Sequence, residues 1–440
     1  MAGLVKGSVF KVGASDGVVE ELLGEGGQGY VYRANYGGAQ MALKWYKPEF
    51  LQNVPRHRKN IEDLVTKRAP TNRFLWPEAV VTIPGRGEFG YLMPLRGREY
   101  SSLNAYVKRE VRATFRNILR ACFQLAQSFR QLHTSGLTYA DISRGNAFLN
   151  VKTGDVLVCD NDNVVAVAEP GGIVGTTNFV APELLRRDAG VRPSAETDLH
   201  ALAVLMFYIL FIEHPLEGAR WFGIRALDDA ARNWLYATDP VFMFDPQNSV
   251  NQPQPGEQDS VKRLWETIYP PELRDAFTKT FTLGLKEPLA RVRETAWMGV
   301  FADVADRLVS CEQCRAEHFV DESKRGRTGT YTGSCWNCGR TIRPPAALRV
   351  GRRTTYLQPG VTLYRHHFTP NLPPDFDAPE AEVRRHPTLA GVVGLANLSG
   401  RAWVTSADGS THQVPSGRSV TIAAGTTIQF GNGQSGEIIM

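Results

Sequence analysis

The sequence predicts an α+β chain in several parts: a strand-rich N-terminal lobe, a larger helical lobe, a small four-cysteine module and an all-β C-terminal module. Three observations carry that prediction. Residues 8–47 alternate apolar and polar with the period of two that strands require, whereas residues 113–136 repeat their apolar positions with helical spacing. Two Cys-x-x-Cys pairs, Cys311/Cys314 and Cys335/Cys338, have 20 residues between them. From Tyr356 onward, short β-rich runs are punctuated by turn residues. A chain of 440 residues has length for several cores, and the predicted boundaries are 1–95, 96–309, 310–345 and 346–440.

Composition sets broad limits. Hydrophobic residues at 42% and charged residues at 22% are those of an ordinary globular protein. The formal charge of +5 permits an anionic ligand without implying general nucleic-acid binding. The first residues lack the apolar run of a signal peptide, and the most apolar stretch, 201–212, is too short to span a bilayer. It suits a buried core helix. Cys122 and Cys159 stand alone in apolar surroundings, while the four paired cysteines point to metal binding in a reducing compartment. A cytoplasmic location away from membranes is the expectation.

In the first lobe, Val18-Val-Glu-Glu-Leu-Leu runs into Gly24-Glu-Gly26-Gly-Gln-Gly29. A dinucleotide-binding fold uses the same glycine spacing, but there the motif opens into a helix. Here Tyr30-Val-Tyr-Arg-Ala-Asn-Tyr is strand-like, Gly37-Gly38 turns, and Gln40-Met-Ala-Leu-Lys44-Trp-Tyr is a second strand. Residues 56–67 have helical spacing, with Ile61, Leu64 and Val65 on one face. The helix over 113–136 places Ile118, Leu119, Cys122, Leu125, Phe129 and Leu132 on its buried face. It leads to Leu137-Thr-Tyr-Ala-Asp141-Ile-Ser-Arg-Gly-Asn146 and, after a strand, to Asp160-Asn-Asp162. Two carboxylates and an amide in that order are the groups phosphoryl transfer needs, one to orient the accepting hydroxyl and two to hold Mg²⁺.

These segments resemble the protein kinases. The glycine hairpin and the Ala-Leu-Lys44 strand resemble the phosphate flap and its phosphate-pairing lysine, and Asp141 to Asp160 resembles the catalytic and metal loops. Phe89-Gly-Tyr-Leu-Met-Pro resembles the hinge, and Gly175-Thr-Thr-Asn-Phe-Val-Ala-Pro-Glu183 the end of an activation segment. The resemblance implies a bilobal kinase fold binding ATP and Mg²⁺, with Gly24, Gly26, Gly29, Val31 and Met93 contacting nucleotide. It implies that Lys44 pairs with phosphates and that Glu62, or failing it Asp63, holds Lys44. Asp141 would orient the hydroxyl, and Asn146 with Asp160, or Asp162, would hold Mg²⁺. Asp198 would cap the catalytic-loop backbone, and Arg291 would pair with Glu183. Tyr139-Ala140, Ser143 and Asn161-Asp162 depart from the family's usual His-Arg, Lys and Phe-Gly. Without an Arg before Asp141, Thr176 and Thr177 are not expected to be obligatory phosphorylation switches.

Residues 244–260 read as a polar mobile loop and residues 296–309 as the closing helix of the lobe. Two thiolate pairs at this spacing predict a closed tetrahedral zinc ribbon with Cys311, Cys314, Cys335 and Cys338 as ligands. Lys324-Arg-Gly-Arg327 reads as a solvated hairpin tip. The last module resembles the second half of a forkhead-associated sandwich. Val383 falls where that family's phosphothreonine-reading Ser would stand, which favours a scaffold role, though Arg384 and Arg385 leave phosphopeptide reading open. The order of parts resembles a bacterial kinase group associated with von Willebrand-type and serine/threonine-phosphatase partners in tellurium-resistance stress systems. The implied activity is Ser/Thr phosphorylation of a protein. A pseudokinase scaffold and a small-molecule kinase are the rival readings.

Overall fold

The N-terminal strands close into a barrel. In chain order they are β1 (Val9–Val12), β2 (Ser15–Glu25), β3 (Gly29–Tyr36), β4 (Ala39–Tyr46), β5 (Ala79–Thr82) and β6 (Phe89–Pro94). They pair antiparallel in the order β1-β2-β3-β4-β6-β5, with β5 returning to β1. The structure is a computed structural model and describes residues 3–51, 54–166, 175–326, 330–407 and 409–440. Inward-facing Phe10, Val19, Tyr32, Leu43, Trp45, Val81 and Leu92 fill the barrel. On β4 the alternate face, with Lys44 and Tyr46, is equally covered, so it must pack against something else. Between β4 and β5, helix α1 (Val54–Lys67) buries Ile61 and Leu64 and half-buries Val65.

The helix Phe115–Thr134 starts at Thr114, whose side chain accepts from the Asn117 amide, and buries the six residues its spacing marked. The helix Ala195–Phe211 starts with a reciprocal Ser194–Thr197 cap and is buried from Thr197 to Phe211, which explains its apolar sequence. Residues 244–260 are not the free loop expected. Asn251 is wholly buried, and its amide donates to the carbonyls of Leu216 and Val241 at 2.9 and 2.6 Å. One side chain thus replaces the missing apolar periodicity as an anchor. Among the described residues no helix is long and apolar enough to cross a membrane.

The chain packs as two compact units, Met1–Gln258 with Phe277–Glu294, and Asp259–Ala276 with Thr295–Met440. In the second, the helix Glu294–Asp306 stops short of the predicted 309 because Leu308–Ser310 instead pairs with Glu317–Phe319 as a hairpin. Lys324 lies in the short turn Glu322–Lys324, and Arg327 lies outside the described residues. A sandwich follows, its first strand Ala347–Val350 falling inside the boundary expected at 346 but ahead of Tyr356, where the β-rich runs read most clearly. One sheet has six strands and the other four. Leu348, Leu363, Val383, Leu395, Trp403, Ile428, Phe430 and Ile438 form its core. Val383 is therefore a core residue opposite Leu395, and Arg384 is bound to Glu382 at 2.7 Å. Asp306, buried at the helix end, accepts from His367 and Arg353, both at 2.8 Å.

Candidate active site and cysteine cluster

The covered face of β4 explains itself at Lys44. Its ammonium contacts both carboxylate oxygens of Asp162 at 3.0 and 2.9 Å, Asp160 at 3.4 Å and the Gln28 amide oxygen at 2.7 Å. Burial alone would lower the Lys44 pKa, but the Asp162 and Asp160 carboxylates outweigh it and the net shift is upward. Tyr46, two residues on and on the same face, donates to Asp162. Glu62 is not part of this group. It lies on the exposed side of α1, half exposed and paired with Arg58, so the expected Lys44–Glu62 pair is absent. Asp63 is exposed as well.

The glycines of the β2–β3 hairpin have different reasons to be glycine. A Cβ on Gly29 would sit 2.4 Å from the Trp45 carbonyl, so β4 itself forbids a side chain there. Gly24 would meet nothing, and Gly26 only the Gly29 carbonyl at 4.0 Å, leaving open space over the hairpin. Val31 lies directly across from Lys44, and Met93 is buried opposite Ala42.

Asp141 and Asn146 are fixed by the loop they share. The Asn146 amide nitrogen donates to the Asp141 carbonyl at 2.8 Å and to its carboxylate at 3.2 Å. Its amide oxygen is the atom left for a cation. The Cys159 amide donates to the Asn146 carbonyl at 2.9 Å, tying this loop to the segment that carries Asp160. Asp141 also accepts from Thr176, through its amide at 3.1 Å and its hydroxyl at 3.3 Å, and from Asn163 at 3.4 Å. Burial raises the Asp141 pKa above its usual value, with the Asn146 and Thr176 hydrogen bonds opposing. Burial likewise raises Asp160, with Lys44 opposing.

The departures at Tyr139, Ala140 and Asn161 each have a structural partner. Tyr139 is fully buried against Phe74 and Phe129, and its hydroxyl donates to the Cys159 carbonyl. Ala140 adopts φ 64°, and its amide and that of Tyr139 donate to Asp198 at 3.0 and 2.6 Å. Asn161 is buried, donating to the Leu75 carbonyl at 2.8 Å. The Arg144 guanidinium stacks 4.3 Å over the Tyr208 ring. Glu183 and Arg291 form a buried two-bond pair at 2.7 and 2.8 Å.

Sequence reasoning missed Gln28, Tyr46, Asn60, Thr176 as a partner of Asp141, and His133. Only Tyr46 had a readable signal, since it shares the Lys44 face of β4. His133 joins Asp198, at 3.0 Å, to Glu294, and these partners lie 65 and 161 residues away in sequence.

The four paired cysteines converge so that all their sulfurs lie within 4.8 Å of one another. Cys311–Cys338 are 3.8 Å apart and Cys314–Cys335 3.5 Å, close to the edge of about 3.8 Å for a tetrahedron with bonds of about 2.3 Å. Each pair sits on the same kind of turn. Arg315 and Gly339, four residues after the first cysteine of each pair, take φ 64° and 74° and donate back to the Cys311 and Cys335 carbonyls. Amides of Asn337 and Cys338 approach the Cys335 sulfur at 3.4 and 3.3 Å, and His318 approaches it at 3.1 Å. Donors aimed at sulfur suit thiolates, so the cluster fits a zinc ion.

Comparison with known proteins gives the same direction. Residues 18–231 match the protein kinase domain family. Serine/threonine-protein kinase PknA of Mycobacterium tuberculosis is 26% identical over 211 residues, covering 46% of this chain and 48% of the relative, and PknA of Mycobacterium bovis matches equally. The eIF-2-alpha kinase GCN2 of Schizosaccharomyces pombe is 34% identical over 100 residues, 19% of this chain and 6% of its own. The chain spans about half the length of the mycobacterial relatives, 48%. Residues 18–231, which carry Lys44, the Asp141–Asn146 loop and Glu183, are thus similar to a protein kinase domain.

Proposed function

We propose that the chain is a Mg²⁺- and ATP-dependent protein kinase that phosphorylates Ser or Thr hydroxyls, with Cys311, Cys314, Cys335 and Cys338 holding a structural zinc. One observation carries the catalytic reading: Lys44, Asp160, Asn146 and Asp141 are linked into one site by side-chain and backbone hydrogen bonds. In this reading Asn146 and Asp160 hold Mg²⁺, which neutralises phosphate charge when bound. Of the two acidic candidates Asp160 is the better ligand, being 37% exposed where Asp162 is 3%. Asp141 orients the accepting hydroxyl, and Lys44 pairs with phosphate oxygens. The open space over Gly24 and Gly26 lets backbone amides approach those oxygens. By the resemblance, partners would include a von Willebrand-type protein and a serine/threonine phosphatase, in the cytoplasm.

A second reading, a pseudokinase scaffold, draws on the crowding of Lys44 by two carboxylates and the outward position of Glu62. Radiolabelled ATP offered with generic protein acceptors to the parent and to Asp141→Asn separates the two. The kinase reading expects transfer by the parent and a loss on the order of 10²-fold or more in Asp141→Asn, with nucleotide still bound. A parent that binds ATP and transfers nothing makes the scaffold reading correct.

A further inference from the structure

Asp160 and Asp162 stand two residues apart and face different surroundings. Asp160 adopts φ 53°, and the short turn Asn161–Asn163 follows, anchored by the Asn161 amide on the carbonyls of Leu75 and Val158. That turn carries the Asp162 carboxylate inward, where it is enclosed by Lys44 and Tyr46. The partner expected on α1 cannot compete. Ile61 and Leu64 define the inward side of that helix. At about 100° per residue, Glu62 points about 130° from the centre of that side, whereas Asn60 lies only about 70° from it. Accordingly it is the Asn60 amide that reaches the loop, donating to the Asp162 carbonyl at 2.9 Å.

We propose that Asp162, rather than a carboxylate of α1, holds Lys44 in its working position, and that α1 acts on the site through Asn60. The proposal rests on the kinase reading and specifies how its lysine is set. Asp162 is then a positioning residue, acting through Lys44 and contacting neither metal nor substrate. Gln28 and Asp160, the other partners of Lys44, are both partly exposed and are the contacts that phosphate oxygens replace. The Asp162 pair is buried and stays. Movement of α1, which breaks a lysine–glutamate pair where one exists, leaves this pair made.

The test compares the full-length parent with Asp162→Asn, Tyr46→Phe and Glu62→Gln, measuring kcat, KM for ATP, the Mg²⁺ needed for half-maximal rate, and affinity for a fluorescent ATP analogue. Asp162→Asn is expected to lower kcat at least tenfold with the Mg²⁺ requirement within twofold of the parent. Tyr46→Phe should shift kcat in the same direction by less, and Glu62→Gln by less than twofold. A Glu62→Gln loss equal to that of Asp162→Asn overturns the proposal. So does a manyfold rise in the Mg²⁺ requirement of Asp162→Asn, which would make Asp162 a metal ligand. If Asp162→Asn does not fold, Tyr46→Phe against Glu62→Gln decides by the same criteria. If the parent transfers no phosphate, the kinase reading has failed separately, and analogue affinity carries the comparison. There, equal affinity in the parent and the folded Asp162 or Tyr46 variant overturns the positioning role.

Discussion

A carboxylate that must stay ionised in a half-closed loop needs donors, and Asp141 has them on both oxygens. Burial pushes its pKa above 3.8 and the Thr176 hydroxyl and amide push back. If the ionised form is the working one, activity falls as pH drops through that raised value. Removing one opposing hydrogen bond should move the fall to higher pH. Thr176→Val is therefore expected to shift the acid limb of kcat upward, and Thr176→Ser to leave it in place, in rate profiles at saturating ATP. An unmoved limb in Thr176→Val means that the hydroxyl does not set the charge of Asp141. At this scale the sequence was informative where chemistry fixes residue type and spacing. The Asp198 cap on the Tyr139 and Ala140 amides and the Glu183–Arg291 pair are those the kinase resemblance implied, and Asp141 and Asn146 share one hydrogen-bonded loop. It was uninformative about Lys44. Its carboxylate partner is 118 residues away, and the choice between Glu62 and Asn60 is a matter of helix phase set by packing.

Single histidines can join whole elements. His133 lies near the end of the helix Phe115–Thr134, and its ring bridges Asp198 and Glu294, acids in the first turns of two other helices. Burial would lower the His133 pKa, but the hydrogen bonds to Asp198 and Glu294 outweigh it and hold it at about 9. Glu294 is lowered in return despite its burial, largely by His133. The imidazolium is thus favoured in the folded state. Its contribution is complete below the unfolded value of 6.5 and disappears as pH rises to about 9. A shift of this size corresponds to about 3 kcal/mol. Thermal unfolding of the parent should lose stability between those pH values, and His133→Leu, already less stable, should show a flatter profile. Equal slopes in the two proteins would mean that other groups cause the loss. Periodicity identified the buried face of this helix correctly because apolar spacing is a local property. It said nothing of a polar residue at the edge of that face whose partners are distant in the chain. The loop at 244–260 shows the same limit, since one buried Asn251 holds what the polar composition left free.

At the scale of the whole molecule, the cysteine cluster shares its core with the sandwich. Val309, Cys311, Val320, Cys335 and Ile342 pack with Ala347 and Tyr356, which belong to the first two strands of the β module. The spacing of the cysteines made the cluster legible, and turn residues made most of the sandwich legible. Its first strand, Ala347–Val350, lies within the module's expected span from 346 but is not legible as a separate strand, because it follows Pro344-Pro345 without a turn of its own to set it apart. So small a hairpin region has few apolar groups, and a bound zinc would supply roughly 10 kcal/mol or more toward folding it. Because Ala347 and Tyr356 lean on Cys311 and Cys335, loss of the ion should loosen the sandwich's first hairpin too. Hydrogen exchange after treatment with a strong chelator is expected to lose protection over 308–342 first and over 347–356 next. The barrel strands β2–β4, which carry none of the ligands, provide the reference. Cys335→Ser should reproduce the pattern without chelator, and elemental analysis of the parent should find one zinc per chain. Were the chelator to leave 308–342 protected in a protein with no measurable zinc, the four cysteines would be a thiol cluster that folds without metal. The donors around Cys335 would then stabilise a thiolate for some other purpose.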